Sequence, residues 1–286
     1  MLKILLIQEN GRHNENRHFR ECFCLQRAFI KLNQECDVWG LGHNNFNDNI
    51  DYESYDLIIN LENYNETGWI PNLSKVKSIK ILWAIDAHAR GEKVYLEEYN
   101  KGKYDILLHS TKDYVNEDYK IWFPNSFDDT LISPRNAPKK CDIGFCGSLL
   151  NRSQYIDLLS NNFNFVYDNF VIGDSMVDAI NSYKIHWNCN LSNDINYRSF
   201  ETIGCGVPLV TNHNYQYEEL GFIDGVNVMM YKNNNEMILK IKQLLSNDKL
   251  RESIGKSGLE LSKKHTYEKR CETLIMIYEN NISNRV

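Results

Sequence analysis

The sequence lacks the features that mark several large classes of protein. No apolar run reaches the ~18 residues that a membrane-spanning helix needs, no segment repeats, and none of the eight cysteines forms a CxxC pair. The cysteines are scattered through apolar patterns, where a reduced thiol packs as a small hydrophobic group. These absences argue against a transmembrane protein, a repeat protein, a cysteine-based zinc site and a disulfide scaffold.

The first residues, 1–7, are mostly apolar but run directly into Gln8, Glu9 and Asn10. A signal peptide needs a longer apolar region and a cleavage site of small residues, so this segment predicts a first strand instead. Without an export signal, we expect a cytoplasmic location.

The chain also lacks an excess of positive charge. Its formal net charge is -6, whereas a protein that binds mainly to the phosphate backbone of a nucleic acid is usually basic. One dense basic stretch occurs, and it contains Arg12, His13, Arg17, His18 and Arg20. Two interpretations stay open for this stretch: a solvated loop with a first helical turn, or a surface that faces an anionic acceptor.

Short apolar runs alternate with helical patterns along the whole chain, which is typical of parallel α/β proteins. The proline-rich stretch 124–140 interrupts this alternation and predicts a linker between two α/β halves. We therefore expect an N-terminal domain over 1–125, a linker over 126–140, a C-terminal domain over 141–265 and a last helix over 266–286. Because ligands of open parallel sheets bind beyond the carboxyl ends of the strands, we expect the site in a cleft between the halves.

The most informative segment is RSFETIGCGVPLVT, residues 198–211. Its pattern predicts a short helix, a glycine turn and a buried strand. Arg198 lies at the start of the helix, where free N–H groups and the helix dipole favour a diphosphate. Glu201 lies one turn later, where a carboxylate can accept two hydrogen bonds from a ribose diol. A purely structural interpretation stays open, with Glu201 complementing the helix dipole and Arg198 on the surface.

This segment resembles the R-x-F-E-x-x-x-x-G-x-x-L-[LV]-T signature of the CgeB-like glycosyltransferases, within the group 1 retaining class. Further motifs agree in order: DIGFCGS at 142–148, a Pro-Asn…Asp turn at 124–128, and a G…HTY..R ending over 258–270. The resemblance covers residues 120–275. It implies a GT-B fold, in which two Rossmann-like domains hold parallel sheets that face a central cleft, and in which the last helix crosses back to the N-terminal domain.

The resemblance also implies roles for individual residues. Glu201 would hold the ribose hydroxyls of a nucleotide-sugar donor, and Arg198 would hold its diphosphate. The other implied donor-binding residues are Gly147, Ser148, Arg152, Phe170, Val171, Asn193, Ser199 and Phe200, of which Arg152 is a second phosphate contact and Phe170 and Val171 lie near the base. Many group 1 enzymes carry a further Glu eight positions before the Glu that corresponds to Glu201. In this sequence Asn193 occupies that position. The resemblance therefore leaves the identity of the donor sugar open.

The N-terminal half offers candidates for both the donor and the acceptor side. Gly11 is a further predicted donor-binding residue, since it follows the first strand in a loop that can approach the donor diphosphate or the acceptor. No GxGxxG pattern supports a dinucleotide site. Asp86 and His88 follow the strand that ends near Ile85, which is the edge where cleft residues lie. We expect Asp86 and His88, with Arg198, to be catalytic; the alternative is that Asp86 caps a helix and His88 lies on the surface.

These observations predict a glycosyltransferase that moves a sugar from a nucleotide-diphosphate donor, foremost a UDP-sugar, to a hydroxyl acceptor. The resemblance implies retention of configuration. We expect no cofactor and no metal, since no DxD-like motif lies at a strand end. A glycan, protein or small-molecule acceptor is favoured over nucleic acid. The alternatives are a sugar-nucleotide epimerase, a non-catalytic nucleotide-binding module and a glycosyltransferase that acts on modified DNA.

Overall fold

The computed structural model describes residues 1–62 and 68–285, of which the side chains are described up to residue 283. The chain divides into two compact units: an N-terminal unit, Met1–Pro124 with Tyr267–Val286, and a C-terminal unit, Asn125–Thr266. Each unit is an α/β layer structure around one parallel sheet. The predicted fold class of two parallel-sheet α/β domains is confirmed.

The sheet of the N-terminal unit contains six parallel strands in the spatial order β2-β1-β3-β4-β5-β6. Its elements in chain order are β1 (Lys3–Ile7), α1 (Glu21–Lys31), β2 (Glu35–Trp39), β3 (Leu57–Leu61), β4 (Ile79–Ala84), α2 (Ala87–Arg90), α3 (Glu92–Gly102), β5 (Ile106–His109) and β6 (Lys120–Trp122). Strands β3 and β4 are buried along their whole length. Buried strands of mostly apolar residues are typical of a parallel sheet that helices cover on both faces.

The C-terminal unit holds five parallel strands in the order β11-β10-β9-β7-β8. Its elements are β7 (Cys141–Cys146), α4 (Ser153–Asn162), β8 (Phe165–Asp168), α5 (Asp174–Ser182), β9 (Tyr183–Trp187), α6 (Tyr197–Gly204), β10 (Leu209–Asn212), α7 (Gln216–Glu219), β11 (Met229–Tyr231), α8 (Asn234–Ser246) and α9 (Asp248–Ser262). Because β9 and β8 lie on opposite sides of β7, the strand order reverses at β7. Ligand crevices form at such a point, at the carboxyl ends of the strands.

The last helix, α10 (Tyr267–Arg285), packs against α1 of the N-terminal unit. Arg270 is buried and its Nε donates to the Pro124 carbonyl at 2.7 Å. Cys271 and Leu274 are fully buried, and the Cys271 thiol lies 3.6 Å from the Leu25 carbonyl. All eight cysteines are buried free thiols.

The start of α1 and the end of β9 differ from what the local sequence pattern predicts. Helical spacing of apolar residues extends back to about Arg17, but α1 begins at Glu21 because Arg20 has an extended backbone, with φ -65° and ψ 145°. The Gln8 side chain accepts from the Cys22 N–H at 3.0 Å and satisfies one of the first N–H groups of α1. The pattern over 185–191 predicts a strand, but β9 ends at Trp187 and the segment 188–196 is a loop.

Gly144 on β7 sets how closely the neighbouring strand approaches. A Cβ at this position would lie 2.2 Å from Cδ1 of Tyr183, a buried side chain on β9 whose hydroxyl donates to Asp168. We expect Gly144→Ala to destabilise the protein by ~1–3 kcal/mol, as overpacking does, measured by urea unfolding. Since Tyr183→Leu removes the obstructing ring, Gly144→Ala should cost little in that background. Full additivity of the two losses would contradict this account.

Candidate active site

The carboxyl ends of β7 and β9 hold most of the residues predicted to bind a donor. Gly147, Ser148 and Arg152 lie in the loop that follows β7, and Arg198 and Glu201 lie on α6, which follows the loop after β9. Since β7 and β9 are hydrogen-bonded neighbours, these two segments meet at one edge of the sheet.

The Arg198 guanidinium joins the end of β7 to α6. Its Nε donates to the Cys146 carbonyl at 2.9 Å, and its Nη1 donates to the carboxylate of Glu201. Burial disfavours the charge of Arg198, but the Glu201 carboxylate outweighs burial and the pKa of Arg198 lies above its ordinary value. The two residues predicted to bind different parts of the donor thus form an ion pair with each other.

Arg152 brings a second guanidinium to the same edge. Its Nε donates to the Cys189 carbonyl at 2.9 Å and its Nη1 to the Ser148 carbonyl at 3.1 Å. The guanidinium carbon lies 5.8 Å from the centre of the Phe145 ring. Burial, with a contribution from the charge of Arg198, lowers the pKa of Arg152. Two cations held close together in a half-buried place favour an anionic ligand.

Gly147 and Ser148 shape the loop beside these arginines. Gly147 has φ +151°, which side chains rarely adopt, and a Cβ there would lie 3.2 Å from the Phe145 ring. Its carbonyl accepts from the Tyr167 hydroxyl at 3.0 Å. The Ser148 hydroxyl accepts from the Leu150 N–H at 3.2 Å and fixes the turn. The loop can therefore bring backbone close to a ligand.

The side chains of Ser199 and Phe200 face the interior of the unit. Ser199 Oγ lies 2.7 Å from the Tyr217 hydroxyl, and the Phe200 ring is fully buried beside Phe222 and His265. Any contact of these two residues with a ligand would therefore use the backbone.

Sequence reasoning missed a network of asparagines that fixes the loop 188–196. The Asn188 amide donates to Asn196 at 2.9 Å and to Ser199 Oγ at 3.0 Å. The Asn190 amide donates to the Tyr217 hydroxyl at 2.8 Å, and the Asn196 N–H donates to the Asn190 carbonyl oxygen of the side chain at 3.0 Å. The abundance of asparagine in the chain gives no sign of this role by itself, but these members bond to one another and orient the start of α6.

The remaining predicted donor residues lie on loops of the C-terminal unit. The Asn193 carbonyl accepts from the Asn214 amide at 2.6 Å. Phe170 follows β8 with φ +55° and is 79% exposed, and Val171 beside it is half-buried. An aromatic ring so exposed offers a face for stacking. A cavity of about 760 Å³ borders the ends of β10 and β11, lined in part by Asn212, Tyr231 and Lys232.

Gly11, Asp86 and His88 lie in the N-terminal unit. Asp86 immediately precedes α2, where its carbonyl accepts from the Ala89 N–H at 2.9 Å, and its side chain makes no capping bond to that helix. His88 is half-buried on α2. A Cβ on Gly11 would lie 3.1 Å from Cδ of Arg20, so glycine leaves room for that side chain.

Glu62 is a neighbour of Asp86 that sequence reasoning missed. It follows β3, the strand paired with β4, and it has the left-handed φ of 50°. Burial, and then the Asp86 carboxylate with which it shares a hydrogen bond, raise the pKa of Glu62 well above its ordinary value. A carboxyl group whose pKa is raised by burial and by an adjacent carboxylate is a common feature of active sites.

Within the described ranges 1–62 and 68–285, no group of three or more His, Cys, Asp or Glu side chains is placed to hold a metal ion. In the same part of the chain, no helix has the length and hydropathy to cross a membrane.

Comparison with known proteins agrees with this geometry. The model of the family described as glycosyl transferase-like matches residues 133–276, just over half of the chain. The chain belongs to the glycosyl transferase-like family. This membership confirms the prediction of a group 1 glycosyltransferase, and the CgeB-like branch stays a prediction. No curated protein matches this glycosyltransferase in sequence.

Solved structures of low sequence identity share the fold. Sucrose-phosphate synthase from Thermosynechococcus elongatus has a TM-score of 0.69 at 11% identity, over 99% of this chain and 100% of that one. Alr3699/HepE from Anabaena, solved with UDP and glucose, has a TM-score of 0.63 at 9% identity over 98% and 100%. An alpha-glucosyltransferase solved with UDP and a 13-mer DNA has a TM-score of 0.66 at 12% identity over 98% and 100%. These likenesses confirm the predicted GT-B fold.

His186 on β9 stabilises the same edge in its neutral form. It is fully buried; its Nε2 accepts from the Cys146 N–H at 3.4 Å, and its Nδ1 donates to Thr202, whose hydroxyl bonds the Arg198 carbonyl. Burial, with the charge of Arg198, lowers the pKa of His186 to about 3. The unfolded chain therefore binds the extra proton first as pH falls.

We expect the stability of the glycosyltransferase to fall as pH drops below about 6.5, by at most ~1.4 kcal/mol per pH unit for this one group. Burial also lowers the pKa of His109, in the N-terminal unit, to about 4. His186→Gln should therefore reduce the loss of stability per pH unit without abolishing it. Melting temperatures at pH 7.5, 6.5 and 5.5 test this. The exposed His213→Gln is the control, and an unchanged slope in His186→Gln would contradict the assignment.

Proposed function

We propose that this glycosyltransferase moves a sugar from a UDP-sugar to a hydroxyl acceptor, with retention of configuration and without a metal ion, and that it belongs to the CgeB-like branch. The observation that carries the proposal is the approach of the Arg152 and Arg198 guanidinium groups to the carboxyl ends of β7 and β9. Similar structures were solved with UDP, which supports the choice of donor. The cytoplasmic location stays a prediction.

Arg152 and Arg198 would hold the diphosphate, together with backbone N–H groups at the start of α6. A guanidinium donates in a planar fork that fits phosphate oxygens, and a helix start adds partial positive charge. Charge develops on the diphosphate as the sugar leaves, so fixed cations there stabilise the transition state. Two such cations supply the charge compensation for which other transferases use a metal, which supports metal-independent transfer.

Glu201 would accept the ribose hydroxyls, and Phe170 with Val171 would contact the base. The Glu201 carboxylate is 12% exposed and is held by Arg198, so its position is fixed before the ribose arrives. The exposed Phe170 ring suits stacking on a base. The acceptor hydroxyl would lose its proton to the leaving diphosphate or to Asp86.

Transfer to modified DNA is the second candidate. One observation favours it: a similar structure was solved with UDP and DNA. The net charge of -6 argues against it, because non-specific DNA binding depends on neutralising phosphates.

Glu201→Gln tests the ribose contact. The wild-type protein should bind UDP more tightly than 2′-deoxy-UDP, and the variant should lose that preference. A hydrogen bond to a charged group contributes ~1.5–3 kcal/mol, which is about tenfold to hundredfold in affinity. Calorimetric titration of both nucleotides measures the preference.

The matched control for this variant is Glu260→Gln, which removes an exposed carboxylate paired with Lys263. Glu201→Gln could instead lower the affinity for UDP and for 2′-deoxy-UDP by the same factor. That result would show that the carboxylate acts by orienting Arg198 and not by binding the ribose.

Arg152→Gln tests the diphosphate contact. We expect UDP to bind about tenfold or more weakly, since a charge-assisted bond to phosphate is lost, and uridine to bind as it does to the wild-type protein. Arg152→Lys should recover part of the UDP affinity, because it keeps the charge but not the fork. If the affinity for uridine falls as much as the affinity for UDP, Arg152 acts through the shape of the loop and not through the diphosphate.

A further inference from the structure

The N-terminal unit contains a polar cavity at the carboxyl end of β1 that the donor-binding residues of the C-terminal unit do not explain. Its volume is about 420 Å³, a size typical of sites for small ligands. Its lining includes Glu9, Arg12, His13, Arg20 and Arg90. Three guanidinium groups and an imidazole thus line the cavity with a single carboxylate.

Arg20 is built into the wall of this cavity. Its Nη2 donates to the Glu9 carbonyl at 3.2 Å, and its Nε lies 3.9 Å from the Glu21 carboxylate. Gly11 passes over its aliphatic part, where a Cβ would approach to 3.1 Å. The guanidinium is therefore oriented before a ligand binds, which reduces the entropy cost of binding.

Arg90 is positioned by a carboxylate of its own. It ends α2, and its Nε lies 4.0 Å from Oε1 of Glu62. The carboxyl groups paired with Arg20 and Arg90 are Glu21 and Glu62, which are 13% and 12% exposed, whereas the two arginine side chains are 28% and 38% exposed. A ligand therefore meets the arginine side chains more readily than their carboxylates. Burial and the adjacent Asp86 carboxylate raise the pKa of Glu62, which reduces the negative charge that Glu62 places beside Arg90.

We propose that this cavity holds the anionic group of the acceptor, a phosphate or a carboxylate on a small saccharide. The inference rests on the proposed function and adds the class of acceptor to it. Guanidinium forks bind both oxyanions in the same geometry. The Asp86–Glu62 pair lies beside Arg90, where it can accept the proton of a neighbouring hydroxyl. A small ligand agrees with the size of the cavity and with the net charge of -6.

The test uses the full-length protein without a donor, titrated by calorimetry with glucose 6-phosphate, glucuronate and glucose. We expect at least one of the two anionic sugars to bind about tenfold or more tightly than glucose, and which of them does so identifies the oxyanion. Arg20→Gln and Arg90→Gln should each abolish the preference. Both variants should keep the wild-type affinity for UDP. Lys93→Gln removes an exposed charge of the same unit and is the control. It should leave the affinities for the anionic sugars and for UDP unchanged.

Several outcomes would overturn the proposal. Equal binding of glucose and the anionic sugars would show that the cavity does not recognise charge. Loss of UDP affinity in Arg20→Gln or Arg90→Gln would assign the cavity to the donor diphosphate. The protein could instead bind duplex DNA with a steep salt dependence and lose that binding in both variants. This result would show that the ligand of the cavity is nucleic acid and not a saccharide.

The control titration with UDP separates this proposal from the proposed function. A protein that prefers anionic sugars but binds no UDP would retain the cavity assignment and refute the donor. If Arg20→Gln fails to fold, as judged by circular dichroism, Arg90→Gln carries the test alone, since Arg90 is more exposed, with 38% of its side chain accessible.

Discussion

The hydrogen bond from Arg198 to the Cys146 carbonyl is the interaction on which the candidate site at the carboxyl ends of β7 and β9 depends. It fixes α6 against the end of β7, and the neutral His186 extends the connection to β9 through Thr202. A main-chain carbonyl moves only if its strand moves, so the guanidinium is held by the sheet itself. Fixed charges of this kind require little reorganisation when charge develops on a leaving group.

The loop 188–196 shows how the same edge is made rigid without regular structure. Its backbone and side-chain amides bond to one another and to the Tyr217 hydroxyl, which also bonds Ser199. Amide side chains donate and accept at once, so they can close such a network without burying a net charge. A loop packed in this way can present the start of α6 with the precision of a helix or strand.

The fold, and the meeting of Arg198 with Glu201, could be predicted because their signals are local. Apolar runs of strand length alternate with helical patterns, and Arg198 and Glu201 fall within one helical turn of a contiguous motif. Glu62 could not be found, because its importance arises only when β3 pairs with β4 and buries it beside Asp86. The start of α1 depends on another segment in a similar way, since the Gln8 side chain accepts from the Cys22 N–H.

Both units hold arginines against carboxylates that lie deeper than the guanidinium groups: Arg198 with Glu201, and Arg90 with Glu62. A buried cation without a partner would cost several kcal/mol, so these pairs keep the charges in place. A ligand anion must then share the guanidinium with the carboxylate. For Arg198, the bond to the Cys146 carbonyl fixes the guanidinium to the end of β7, and the Glu201 carboxylate holds it from α6. A ligand that binds at this edge therefore meets a cation and a carboxylate that are already in place, which reduces the reorganisation that its binding requires.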